Sequence, residues 1–180
     1  NLLAENQEDK IFLWAFEKSV VNEINTKRLN SCYLPKIKLN HNVEAINNFK
    51  NIVVKYLFIV VPSQFVFTIV KKYLKQLTNV NKNKISLIIC SKGFDVKKKM
   101  LLSEVLKPLC TLSRIVILSG PSFARLVAEK KPTAVTIASK NLRVADRVRG
   151  LLNNKNFRVY INKDIIGVQV NGAIKNILAI

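Results

Sequence analysis

The chain has 180 residues, 49% of them hydrophobic. That is enough for one domain with a core, or for one domain and the start of another, and it argues against disorder. Its 30 Lys and Arg against 11 Asp and Glu give a net charge of +19. The charge admits two readings: a footprint for a nucleic-acid backbone, or a lysine- and asparagine-rich composition spread over solvated faces. The basic clusters, such as Lys97-Lys98-Lys99, are short and carry no interleaved aromatic residues for base stacking, so the second reading is favoured and no nucleic-acid partner is expected. The longest nearly apolar run, 56–61, is too short to cross a bilayer, and no secretory leader pattern opens the sequence. Cys32, Cys90 and Cys110 lack CxxC spacing and have only His41 beside them, so no metal is expected. Free thiols and a cytoplasmic location are the plain expectation.

In chain order, residues 11–15 (IFLWA) read as a buried strand, and 17–28 as an amphipathic helix with Val20, Val21 and Ile24 on one face. Residues 52–61 form a second strand, stopped by Pro62-Ser63. Residues 64–77 show helical spacing at Phe65, Ile69, Tyr73 and Leu77. Residues 85–90 are a third strand, 100–106 a short helix ending before Pro108, 115–118 a fourth strand and 134–138 a fifth. Beyond these, 142–152 read as a helix, 157–161 as a short strand and 165–180 as a long apolar helix interrupted by Lys175 and Asn176.

Strand–helix alternation implies crossover connections, hence an α/β fold with a largely parallel sheet and helices on both faces. The strands are near-continuous apolar runs, as expected when both faces are covered. Ligands of such sheets sit beyond the carboxyl ends of the strands. Three small or polar corners fall there: Pro62-Ser63-Gln64, Ser91-Lys92-Gly93 and Ser119-Gly120-Pro121-Ser122. Any tight turn favours Gly, Pro and Ser, but three on one edge point to a site. One histidine does not readily furnish a Ser-His-Asp triad, so acid–base work falls to a lysine or a carboxylate. Lys175, in an otherwise apolar helix, must snorkel, pair or act chemically.

These segments together resemble NAD(P)-dependent glycerol-3-phosphate dehydrogenases of the bacterial type. The resemblance is carried by VPSQ at 61–64, SKG at 91–93, LSGPSFA at 118–124, KPTAVTIAS at 131–139 and GVQVNGAIKN at 167–176, with LWAF at 13–16 and YLPKIKL at 33–39 in the same order. It implies a Rossmann-like dinucleotide-binding domain over 1–162 and, from 163 to 180, the first helix of an all-helical substrate domain. The implied reaction is reversible hydride transfer between NAD or NADP and carbon 2 of dihydroxyacetone phosphate. The product, sn-glycerol 3-phosphate, serves phospholipid synthesis, and the full-length form is expected as a homodimer. By the same resemblance Lys175 is the catalytic proton donor, and Lys92 contacts substrate and cofactor and stabilises the developing alkoxide. Gly120, Ser122 and Asn176 line the substrate, with Ser122 near an expected helix start. Phe16, Tyr33 and Ala124 are cofactor-side positions.

Several positions depart from the family pattern. Bacterial relatives often carry arginine at the position of Phe16, which would suit a 2′-phosphate, so Phe16 leans the reading toward NAD. The family's common glutamate is here Gln169, and the first glycine of its following pair is Asn171. No GxGxxG occurs anywhere in the sequence. NLLAEN at the start resembles the last turns of the helix after that loop, so the expected object is a fragment lacking the central strand, with two exposed sheet edges. An inactive remnant of a decaying gene is the alternative, and a basic nucleic-acid module a further one.

Overall fold

The structure is a computed structural model that describes residues 1–6, 9–77 and 84–178, with side chains described for 1–5, 9–77 and 84–174. Its elements in chain order are α1 (Leu2–Asn6), β1 (Ile11–Trp14), α2 (Lys18–Lys27), β2 (Val43–Ile46), β3 (Tyr56–Ile59), α3 (Val66–Gln76), β4 (Ser86–Ile89), β5 (Phe94–Asp95), β6 (Met100–Leu101), α4 (Leu102–Leu106), β7 (Ile115–Ser119), α5 (Ala124–Ala128), β8 (Thr133–Ala138), α6 (Leu142–Leu152), β9 (Phe157–Asn162) and α7 (Ile165–Leu178).

The main sheet has the order β3-β4-β7-β8-β9. β3, β4 and β7 run parallel, with Tyr56 beside Ser86 and Leu87 beside Ile115. β8 runs antiparallel to β7, placing Ile117 beside Ala138, and β9 is parallel to β8. The sheet is therefore mixed, a refinement of the largely parallel expectation. Side chains alternate across it, as a strand demands. Leu87, Ile89, Ile115 and Ile117 join α3, α4 and the start of α7 in one core. Ile88, Val116, Val135 and Ile137 join Val144 and Val148 of α6 in the other. Every residue of β4 is buried, which explains its unbroken apolar sequence.

β1 and β2 form a separate parallel ribbon, with Ile11 beside Val43 and Trp14 beside Ile46. Val20 and Ile24 of α2, with Leu39, cover it by packing on Val43 and Ala45 of β2. Among the described residues β1 pairs with β2 alone and β3 with β4 alone, so each keeps one unpaired edge. Aromatic packing links the ribbon to the main sheet. Trp14 stacks on Phe49 with ring centres 5.3 Å apart, and Phe49 meets Tyr73 of α3 edge-on at 5.3 Å. The Tyr73 hydroxyl then accepts the Val54 N–H at 3.2 Å, tying α3 to the segment that leads into β3.

Three local readings need correction. The strand expected over 52–61 is regular only over Tyr56–Ile59. Residues 100–106 are not all helix: Met100 and Leu101 close a small antiparallel hairpin with Phe94 and Asp95, and the helix begins at Leu102. β2 has a signal too short to read as a strand in advance. The 165–180 helix is observed to Leu178, and residues 179 and 180 lie outside the described part. Among the described residues no helix is long and apolar enough to cross a membrane, and no group of three or more metal-ligating side chains gathers.

Candidate functional site

Because β3, β4 and β7 are parallel neighbours, the three corners that follow them lie on one sheet edge. The backbone holds them together. Ser91 N–H and Oγ both donate to the Ile59 carbonyl, at 3.1 and 3.2 Å, and Oγ also reaches the Val61 carbonyl. The turn after β4 is thereby tied to the end of β3. Gly93 has φ +109°, a conformation side chains resist, and sits against Ser63. Gly120 has φ +152°, and a Cβ there would stand 3.0 Å from both the Ala134 carbonyl oxygen and the Val135 Cα. The sequence needs glycine at 120 because β8 crosses directly behind the turn.

Lys92 extends from its own corner to the next. Its Nζ donates to the Gly120 carbonyl at 3.1 Å, so the SKG and SGPS motifs are joined by one hydrogen bond. That carbonyl also accepts the Ser122 N–H at 2.9 Å, with Ser122 Oγ at 3.5 Å. Ser122 thus turns back onto Gly120 and does not cap a helix. α5 begins at Ala124 with Phe123 at its N-cap position, so Ser122 lies two residues before a helix start. Ala124 is exposed at the first position of α5.

α7 closes the site from the side. Asp164 starts it by accepting the Gly167 N–H at 2.8 Å. Farther along, Gly172 lies so close to Ser119 that a Cβ would overlap the serine Oγ. A crevice of about 10 Å³ remains among Ser91, Lys92, Gly93, Ser119, Gln169 and Gly172. The backbone of Lys175 and Asn176 continues α7 less than two turns beyond Gln169, while their side chains lie outside the described residues.

Phe16 and Tyr33 lie in the loops beside the other sheet. Phe16 follows β1 and is 81% exposed; Tyr33 is 62% exposed, and its hydroxyl donates to Glu17 at 2.7 Å. That bond holds the Glu17 carboxyl below its usual range and pushes the Tyr33 phenol up. Glu17 was missed by the sequence reading because its partner Tyr33 lies 16 residues away and no local pattern announces the pair. Cys90 is partly buried just after β4, and desolvation pushes its thiol up to about 12 against the opposing effect of Lys92, which disfavours the thiolate.

A family model described as the N-terminus of NAD-dependent glycerol-3-phosphate dehydrogenase matches residues 1–145. Over 180 residues the chain is 36% identical to a glycerol-3-phosphate dehydrogenase [NAD(P)+] of Erythrobacter litoralis, covering 99% of this chain and 52% of the relative. A Bacillus subtilis enzyme of the same name is 33% identical, with the same coverage. The chain thus spans about half the length of the curated relatives it matches. Its fold superposes on the crystal structure of glycerol-3-phosphate dehydrogenase from Coxiella burnetii with TM-score 0.86 and 31% identity, over 99% of this chain and 54% of that one.

Proposed function

Because the chain belongs to the NAD-dependent glycerol-3-phosphate dehydrogenase family, we propose that it carries part of the machinery for reversible reduction of dihydroxyacetone phosphate to sn-glycerol 3-phosphate. The observation that carries this reading is the Lys92–Gly120 hydrogen bond, which unites two motifs from separate strands at the edge where α/β sheets bind ligands. The residues present fit a nicotinamide dinucleotide at two places. Glu17 and the Tyr33 hydroxyl offer a hydrogen-bonded pair beside β1 suited to ribose hydroxyls, and the Lys92–Gly120 corner offers an ammonium at the sheet edge. A GxGxxG cradle for the pyrophosphate is absent from the sequence. When bound, the nicotinamide ring supplies or takes the hydride.

The chain's own residues divide the remaining work. Lys92 is anchored by the Gly120 carbonyl, and its ammonium stabilises negative charge developing on the substrate oxygen. Lys175 gives that oxygen its proton in reduction and takes it back in oxidation. Ser122 and Asn176 take the substrate phosphate, and Phe16, Tyr33 and Ala124 line the cofactor. Glu17 adds a negative charge beside Phe16, which disfavours a 2′-phosphate and supports NAD over NADP. The test is NADH oxidation by the purified chain with dihydroxyacetone phosphate. Turnover lost in Lys175→Ala, with unfolding unchanged, supports the reading; equal rates in both chains reject it.

A second reading, a chain that keeps the fold without turnover, is favoured by the unpaired edges of β1 and β3. Folded protein that leaves NADH fluorescence unchanged at millimolar concentration would select it.

A further inference from the structure

The short helix α4 starts without a side-chain cap of its own, because its N-cap position is Leu101. The acceptor that it lacks comes from a distant part of the chain. Gln169 of α7 accepts the Ser103 N–H on Oε1 at 3.1 Å, and its Nε2 donates to Ser103 Oγ at 2.8 Å and to the Ile165 carbonyl at 3.1 Å. Both partners are buried, Ser103 at 1% exposure and Gln169 at 8%. A buried amide with both ends satisfied, facing a buried N–H that no side chain of its own element can reach, is a specific clasp.

The clasp stands directly behind the crevice that Lys92 borders, since Gln169 and Gly172 both line it. Gly172 sets the distance of α7 from β7 by its contact with Ser119. Ile165 and Val168 seat the first turn of α7 in the core, but apolar contacts tolerate small rotations of a helix about its axis. The directional Gln169–Ser103 bonds, nearly one turn before Gly172, restrict that rotation.

We propose that Gln169 is a positioning residue: by clasping Ser103 it fixes the rotation of α7, the helix whose backbone carries residue 175, relative to the corner of Lys92. The proposal deepens the functional reading above and rests on it for the role of Lys175. The amide suits the task better than the glutamate of the family pattern in one respect. Nε2 can donate to the Ile165 carbonyl, whereas a carboxylate oxygen would face that carbonyl without a proton.

The experiment compares the chain with Gln169→Met, which keeps the length and apolar packing but removes every polar contact, and with Gln169→Glu, which keeps the acceptor for Ser103 N–H. Amide hydrogen exchange is read at Ser103 and across 170–174. In Gln169→Met, exchange at these amides should rise about tenfold, while Gln169→Glu keeps the Ser103 amide slow. In dihydroxyacetone phosphate reduction, Gln169→Met should lower kcat about tenfold with KM within about twofold, and Gln169→Glu should recover most of the loss.

Unchanged exchange in Gln169→Met overturns the proposal, as does a loss confined to KM. If Gln169→Met does not fold, Ser103→Ala, which removes only the hydroxyl arm, must still speed exchange across 170–174 by about threefold, and no change there overturns it equally. A wild-type chain that folds but does not reduce the substrate rejects the functional reading, and the exchange result alone then decides the clasp.

Discussion

The corner at Lys92 and Gly120 rests on strands buried on both faces, while the corner at Phe16, Glu17 and Tyr33 rests on a two-stranded ribbon covered by one helix. At the first, backbone does the holding: carbonyls of Ile59, Val61 and Gly120 collect the donors of Ser91, Lys92 and Ser122, and two glycines adopt angles that side chains resist. At the second, exposed side chains meet each other, and the Tyr33–Glu17 bond is its main internal tie. The difference separates two demands. On the proposed function, the group that meets the reacting centre is fixed by buried main chain, whereas the groups assigned to the dinucleotide sit on a surface where single substitutions retune them.

The largest effect is expected where the two regions join. Phe49 is 5% exposed between Trp14 and Tyr73, so Phe49→Ala should destabilise the chain by about 4 kcal/mol, read from urea unfolding, through lost burial and the cavity left behind. If the ribbon and sheet were energetically independent, the transition would instead split into two. Next comes the buried corner itself. Gly120→Ala should cost at least about 2 kcal/mol, because the Cβ meets β8 backbone at 3.0 Å on a strained φ, and a stability equal to wild type would show that the turn can relax.

The exposed corner should respond least in stability and most in titration. Glu17 is depressed in the folded chain, so whatever stability its bond to Tyr33 adds is present above the unfolded glutamate range and is lost as pH falls through the lower folded value. In Tyr33→Phe the Glu17 carboxyl resonance should titrate higher, toward the ordinary range, with the smaller backbone contribution retained and no measurable change in the urea midpoint at pH 7. A Glu17 titration unmoved by Tyr33→Phe would show that the hydrogen bond is not what depresses it.

The same contrast governs what the sequence disclosed. β4 and β7 were legible because burial on both faces demands unbroken apolar runs, and their corners were legible because only Gly, Ser and Pro fit so tight a passage. β2 escaped because VEAI is four residues long with a charge in it, half of them facing outward. The β5–β6 hairpin escaped because two residues a side carry no period, so Met100 and Leu101 looked like the start of a helix. The reversal of β8 could not be read at all, since burial is the same for a strand of either direction. Glu17 and the Gln169–Ser103 clasp were invisible for a further reason. Each depends on a partner brought from elsewhere in the chain, and no local pattern announces it.

The reversal of β8 sets a ruler for the site. Since β8 and β9 run against β7, β9 ends at the far side of the sheet, and α7 must climb back along β7 before its residues reach the corners. A strand advances about 3.3 Å per residue and a helix about 1.5 Å. From its start at Ile165 the helix gains about 10 Å by Gly172, where it stands level with Ser119 at the end of β7. One residue added to β7 would therefore need about two more in α7 to restore the height, and those two would swing the helix by more than half a turn. The lengths of these two segments can change only in steps that return both height and direction.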